Sequence, residues 1–209
     1  MVISVRFENK NLDFSPYWRI YMLLKWPDFS VDNHHHDLSH LNAKVITVTR
    51  AATEQYPARS VRVFLSYSNH CFTNHFADEG TGDEYIYPHA NDGRYFCMDR
   101  YEGSLLLPKL IPELIQRNVV IGRQMKERRE TFFYLEEHCM GRDFRLYFKI
   151  DKSNHQNSDI RILVTSCHPE EAWAQPVGVQ ARFNIWRVID SKLNGEVLAV
   201  KPQQRRTRR

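Results

Sequence analysis

Three of the four cysteines in this chain adjoin a histidine, in His70-Cys71, His138-Cys139 and Cys167-His168. A further run, His34-His35-His36-Asp37-x-x-His40, helps bring the histidines to ten. Imidazole and thiol are the side chains that bind metals or move protons near neutral pH. Two chemistries follow. If residues 34–41 were helical, His36 and His40 would share a face, as paired zinc ligands do, with His34 as a third donor and Asp37 as an oxygen or an orienting contact. No HExxH and no CxxC is present. On a strand, neighbours such as His138 and Cys139 point to opposite faces, so the His-Cys pairs are poor bidentate ligands and read better as buried thiols beside polar rings.

The second chemistry is acid-base. The stretch SYSNHCFTNH, residues 66–75, ends an apolar run and offers His70, Thr73 and His75 where a sheet would hold them. In RYFCMDRY, residues 94–101, a strand would place Arg94, Phe96, Met98 and Arg100 on one face. A histidine that converges with those arginines could cleave a phosphodiester. His70 would move the proton, Arg94 and Arg100 would hold the phosphate, and His75 or His168 would be the second proton-transfer group. Thr73 or Ser104 would donate hydrogen bonds. The competing reading pairs those arginines with the acids of residues 78–84. A GxSxG elbow, a phosphate loop and a GxGxxG are all absent from the sequence.

The elements that would position these groups are mostly strands. Residues 2–7, 17–25, 43–50 and 61–67 are rich in β-branched and aromatic types. Residues 77–93, with acids and glycines, read as an exposed loop. Residues 104–117 read as helical, with Pro108 in a first turn and Pro112 forcing a kink or a start near it. Residues 123–130 read as a solvated helical face through the pairs Arg123/Glu127 and Lys126/Glu130.

The C-terminal third alternates clearly. In 144–150, Phe144, Leu146, Phe148 and Ile150 oppose Arg145, Tyr147 and Lys149. Residues 160–168 alternate again after a polar turn, 180–190 read as a further strand, and Asn194-Gly195 reads as a tight turn returning through 196–200. The expected fold is α+β: a twisted antiparallel sheet, a meander in its last third, one or two short helices, and a half-buried sheet with a basic and aromatic outer face.

Composition bounds the rest. A hydrophobic share of 42% with 26% charged residues suits a globular chain, organised as one domain over 1–200. Without an apolar run long enough for a membrane helix, a secretion signal or a disulfide framework, the expected location is cytoplasmic and away from membranes. The net charge of +4 comes from a tail, KPQQRRTRR, with five basic residues and no acid. Arg205, Arg206, Arg208 and Arg209 would lend it affinity for nucleic acid, or it is a disordered solubilising end.

The segment FRLYFKIDKSNHQNSDIRILVTSCHPEE resembles the core of RelE-type ribonuclease toxins and the wider barnase-like and colicin-like nucleases, over about residues 131–190. The resemblance implies cleavage of RNA without a cofactor, with Arg145, Tyr147, Ser166 and His168 facing the RNA, and an antitoxin or immunity protein as partner. The readings left open are a metal-independent endoribonuclease, a toxin or phage-related effector; a non-enzymatic module binding protein or nucleic acid through aromatic strand edges and the tail; and a zinc protein using His34, His36 and His40.

Overall fold

The computed structural model describes residues 25–90, 92–125, 131–139, 141–170 and 176–199. The strand expectations at 2–7 and through residue 24 of 17–25 lie outside these, as do residues 126–130 and the tail arginines.

The fold is α+β. A short hairpin comes first, β1 (Phe29–Val31) and β2 (His34–His36), turned by Asp32 and Asn33, both with positive φ. Asp and Asn tolerate that region well, which suits a two-residue hairpin turn. Next come β3 (Lys44–Arg50) and β4 (Arg59–Tyr67), where the sequence suggested strands. Two-residue strands β5 (Thr73–Asn74) and β6 (Tyr95–Phe96) pair with each other. Helices α1 (Met98–Ser104) and α2 (Leu107–Gln116) follow, then β7 (Val120–Met125), β8 (Thr131–Cys139), β9 (Arg142–Lys152), β10 (Ile160–Pro169), β11 (Ala181–Asn184) and α3 (Ile185–Asn194).

The large sheet has the order β11-β7-β8-β9-β10-β4-β3. The expected meander is its centre: β7 to β10 are consecutive and antiparallel. Phe144, Leu146, Phe148 and Ile150 are all buried on one face, and Ile150 stands opposite Ile162. The sheet is mixed, because β4 joins β10 in parallel. On the core face, α1 meets the sheet at Phe144, against which Gly103 packs with no room for a Cβ. From α2, Ile111, Leu114 and Ile115 enter the same core as Trp186, Val188 and Ile189 of α3.

Several expectations change for identifiable reasons. Residues 94–101 are a strand only at Tyr95–Phe96, after which α1 begins, so Arg94 and Arg100 are not on one strand face. Of the two effects expected of Pro112, a helix start near it falls away, since α2 runs through it and burial of Ile111, Leu114 and Ile115 outweighs one missing hydrogen bond. Residues 120–125, including Arg123, are strand and not a helical face. The strand expected over 180–190 stops at Asn184, because Ile185, Val188 and Ile189 have helical spacing and bury together. Gly195, at φ 70°, then ends α3 as a left-handed cap whose N–H bonds the Lys192 carbonyl, and residues 196–199 form no returning strand.

The outer face of the meander also differs. Arg145 and Lys149 are only 4% and 8% exposed, so this face is not an open basic surface.

Candidate functional site

Beyond β4 the chain leaves the sheet through a capped turn. Ser68 donates its N–H to the Val164 carbonyl (3.0 Å) and its hydroxyl to the Thr165 carbonyl (2.7 Å). The same oxygen accepts the His70 N–H, so Ser68 caps a single 3-10 turn, Asn69–Cys71. Thr73 then pairs with Phe96 and Asn74 with Tyr95, while the Cys97 N–H bonds the Phe72 carbonyl at 3.0 Å. Two short strands thereby carry residues 69–75 to residues 94–100. His70, Thr73, His75, Arg94 and Arg100 meet at one corner of the molecule.

Their roles there are largely internal. Arg94 is 2% exposed. Its Nε donates to Thr73 Oγ1 at 2.8 Å and its Nη2 to the Thr73 carbonyl at 3.2 Å, with Asp92 at 3.6 Å from Nη1. Thr73 passes its own hydroxyl hydrogen to the Asn69 carbonyl (2.8 Å). Arg100 donates to the His70 carbonyl at 3.0 Å. Burial, then the positive charge of Arg94, with smaller contributions from Arg100 and His75, lowers the His70 pKa to about 4 against the opposing pull of Asp92. His70 is therefore neutral at pH 7, with its Nε2 buried. His75 is exposed.

Ser104 lies fully buried on α1. It donates to the Tyr101 carbonyl (2.7 Å) and meets His40 Nε2 at 2.8 Å. It belongs to the His40 contact, not to the His70 corner.

His168 goes elsewhere. It stands opposite Arg145 in the β9–β10 register, so it shares the face of Arg145, Tyr147 and Lys149, away from α1. Its ring stacks on Tyr147 (5.9 Å, 20°) and its Nδ1 lies 3.0 Å from the Pro169 carbonyl. Pairing of His168 with His70 as acid and base is not what the fold assembles. On the same face Arg145 pairs with Glu170, Tyr147 is half-buried, and the Lys149 ammonium sits 4.4 Å from the centre of the Phe132 ring. Arg205, Arg206, Arg208 and Arg209 lie outside the described residues.

The histidine run does not form a helical ligand pair. His34 and His36 are on strand β2 and His40 is in a 3-10 turn, Ser39–Leu41. His35 bonds Ser30 and faces Asp28 at 3.4 Å, while His36 packs on Phe96 and Tyr101. Among the described residues no three His, Cys, Asp or Glu side chains are grouped to hold a metal ion. Two of the cysteines beside histidines are core residues: Cys71 and Cys167 are buried and form no disulfide, and burial pushes the Cys71 thiol up to about 12. Cys97 is buried too and raised to about 11.

Sequence reasoning passed over the most accessible part of this corner. Phe76 follows β5 and is 79% exposed, and Met98 at the start of α1 is also exposed. The clue was an aromatic followed by a stretch, 77–93, with five acids and no Lys or Arg. Tyr87 fastens that stretch: it is fully buried, and its hydroxyl donates to the Pro27 carbonyl at 2.8 Å.

Residues 28–193 match the YjaZ family. The chain belongs to that family. The matched span runs from just before β1 to the last turn of α3, and so takes in the His70 corner and the whole large sheet. No curated protein and no solved structure matches the chain. Among the described residues no helix is long and apolar enough to cross a membrane.

Proposed function

We propose that this chain is a binding module that docks a cationic segment of a protein partner at the corner bearing Phe76. The observation that carries the reading is a contrast within that corner. Thr73 and Arg94 are sealed inside, while Phe76 stands 79% exposed at the root of an acidic loop. An exposed aromatic is a good anchor for a partner, and an adjacent run of carboxylates steers cations toward it and repels phosphates. The test is fluorescence anisotropy with a labelled Lys/Leu peptide and its Glu/Leu counterpart. The expected result is salt-sensitive binding of the cationic peptide alone, weakened about tenfold by Phe76→Ser. Equal binding of both peptides, or no effect of the substitution, rejects the reading.

A second reading is the metal-independent endoribonuclease, acting on RNA and held by an antitoxin or immunity partner. Its support is the convergence of His70, His75, Arg94 and Arg100. A neutral His70 has the protonation state of a general base, but substrate would have to reach a buried ring. Incubation of the protein with labelled total RNA in excess EDTA tests it: discrete cleavage that is lost in His70→Ala supports the enzyme, and intact RNA rejects it.

A further inference from the structure

The β1–β2 hairpin is a two-stranded sheet of its own, outside the seven-stranded one. It is fastened to the His70 corner mainly through rings. Phe29 lies 5.0 Å from Phe96, and its register partner His36 lies 4.7 Å from Phe96 and 5.2 Å from Tyr101. His36 is 6% exposed, and its Nε2 is buried without a hydrogen-bond partner. A neutral imidazole tolerates such a place as a flat, weakly polar ring. An imidazolium does not, because an unpaired buried charge costs several times as much as a buried neutral group.

We propose that the β1–β2 hairpin is an acid-released latch, which lifts from Phe96 and Tyr101 when His36 takes up a proton while the large sheet stays folded. The groups facing His36 all point the same way. On its own strand stand the imidazoles of His34 and His35, which disfavour a further positive charge. From α1 comes the Tyr101 phenol, whose ionisation is pushed upward by burial and which stays neutral. Phe96 and Phe29 bring no charge. The nearby carboxylates are engaged elsewhere: Asp28 accepts the Leu38 N–H (3.0 Å) and faces His35, and Asp37 accepts the Ser39 N–H (2.7 Å).

His40, four residues on, is the internal control. Ser104 gives its hydroxyl hydrogen to Tyr101, so its oxygen can accept from His40 Nε2, and His40 Nδ1 faces the Asp37 carbonyl at 3.2 Å. Both ring nitrogens therefore face acceptors, and a doubly protonated His40 would find both bonds in place. Burial lowers the proton affinity of His40 too, but against the opposing pull of the Asp37 carbonyl and carboxylate, whereas burial, His34 and His35 all act in the same direction on His36. Burial lowers the proton affinity of His36, so the open form binds more protons than the closed one. Acid therefore weakens the latch progressively as pH falls below about 6.5, the ordinary value of an exposed imidazole. Opening uncovers Phe29 and Phe96, an aromatic surface next to the corner that carries Phe76.

The test is hydrogen exchange by mass spectrometry on the full chain in excess EDTA, at about pH 7.5 and about pH 5, corrected for intrinsic exchange. Peptides covering 29–36 should lose protection by about tenfold or more at the lower pH, while those covering 144–150 and 160–168 keep theirs. His36→Phe and His36→Gln should abolish the loss, and His40→Gln should retain it. If His36→Phe does not fold, His36→Gln, polar and uncharged at every pH, decides alone. Unchanged hairpin protection in the natural chain, persistence of the loss in His36→Gln, or loss in step with the sheet each overturns the proposal.

Discussion

Arg94 and Arg145 are both buried cations, and two regions of the molecule hold them in different ways. Arg145 lies in the meander, where β9 and the end of β10 run side by side and Glu170 supplies a carboxylate. Arg94 lies in the irregular corner between β4 and α1, where its close acceptors are the hydroxyl and carbonyl of Thr73 and the Asp92 carboxylate is a looser neighbour. A sheet pairs charges by register, since a residue two places along a strand returns to the same face. Turns bring backbone oxygens, which satisfy donors without cancelling charge. His70 lies beside the buried Arg94 guanidinium, and burial first, then the Arg94 charge, hold its proton affinity far below the ordinary one.

The largest test of this difference is Arg94→Ala. It leaves Thr73 Oγ1 and its carbonyl without their donor and empties a buried volume where β5 meets β6. A loss of about 3–4 kcal/mol in urea denaturation is expected. A loss below about 1 kcal/mol would mean that the corner repacks or draws in water, and that Arg94 does not organise it.

Acid is the next test. The folded-state pKa of His70, about 4, lies below the unfolded value near 6.5, so the unfolded chain takes up the proton first. The stability that this neutral histidine preserves is therefore complete above about pH 6.5 and is lost as pH falls toward 4. The full span is worth at most about 3 kcal/mol. His70→Gln should flatten this limb of the stability–pH curve between about pH 6 and 4. His168→Gln should leave it in place, because His168 stacks on Tyr147 away from Arg94 and Arg100. An equal flattening by both substitutions would erase the distinction between the two regions.

The same contrast explains what could be read from the sequence. In strand β9 the residue types alternate over Phe144 to Ile150, which made the strand and its core face legible, although Arg145 and Lys149 on the other face are buried as well. The corner has no such period. Its geometry depends on two strands of two residues each and on a 3-10 turn capped by Ser68, and none of these leaves a repeating pattern. His70, Thr73, His75, Arg94 and Arg100 could be named by residue type, but their convergence follows from contacts between residues more than twenty positions apart, such as Thr73 with Arg94. The other misreading has a different cause. In QARFNIWRVID the first residues alternate as a strand and the last ones repeat as a helix, and only packing of Trp186 and Val188 into the core places the boundary at Asn184.

Where the two regions touch, a small change should report on both. Gly103 of α1 lies against the Phe144 ring of β9, and a Cβ there would overlap the ring. Gly103→Ala gains helix propensity but must push α1 off the meander, for a net loss of about 1–2 kcal/mol. Phe144→Leu in the same chain makes room and should recover part of that loss in a double-mutant cycle. Strict additivity would mean that α1 shifts without feeling Phe144.

The smallest effect is expected on the meander side. Glu170→Gln removes the carboxylate from Arg145 but keeps an oxygen of similar shape in place. If register and cross-strand packing, more than the ion pair, hold Arg145, the change costs about 1 kcal/mol. Glu170 is partly exposed, so water can take over some of the lost interaction. Charge reversal sharpens the point. Glu170→Lys would put two cations together and should cost more than the glutamine by an amount that shrinks in high salt, since screening acts on partly exposed pairs. Parallel urea melts of the two variants at low and high salt separate the charge contribution from the packing contribution. A glutamine variant as damaging as Arg94→Ala would show that the meander depends on its ion pair as heavily as the corner depends on Thr73, and that the two buried arginines are held alike after all.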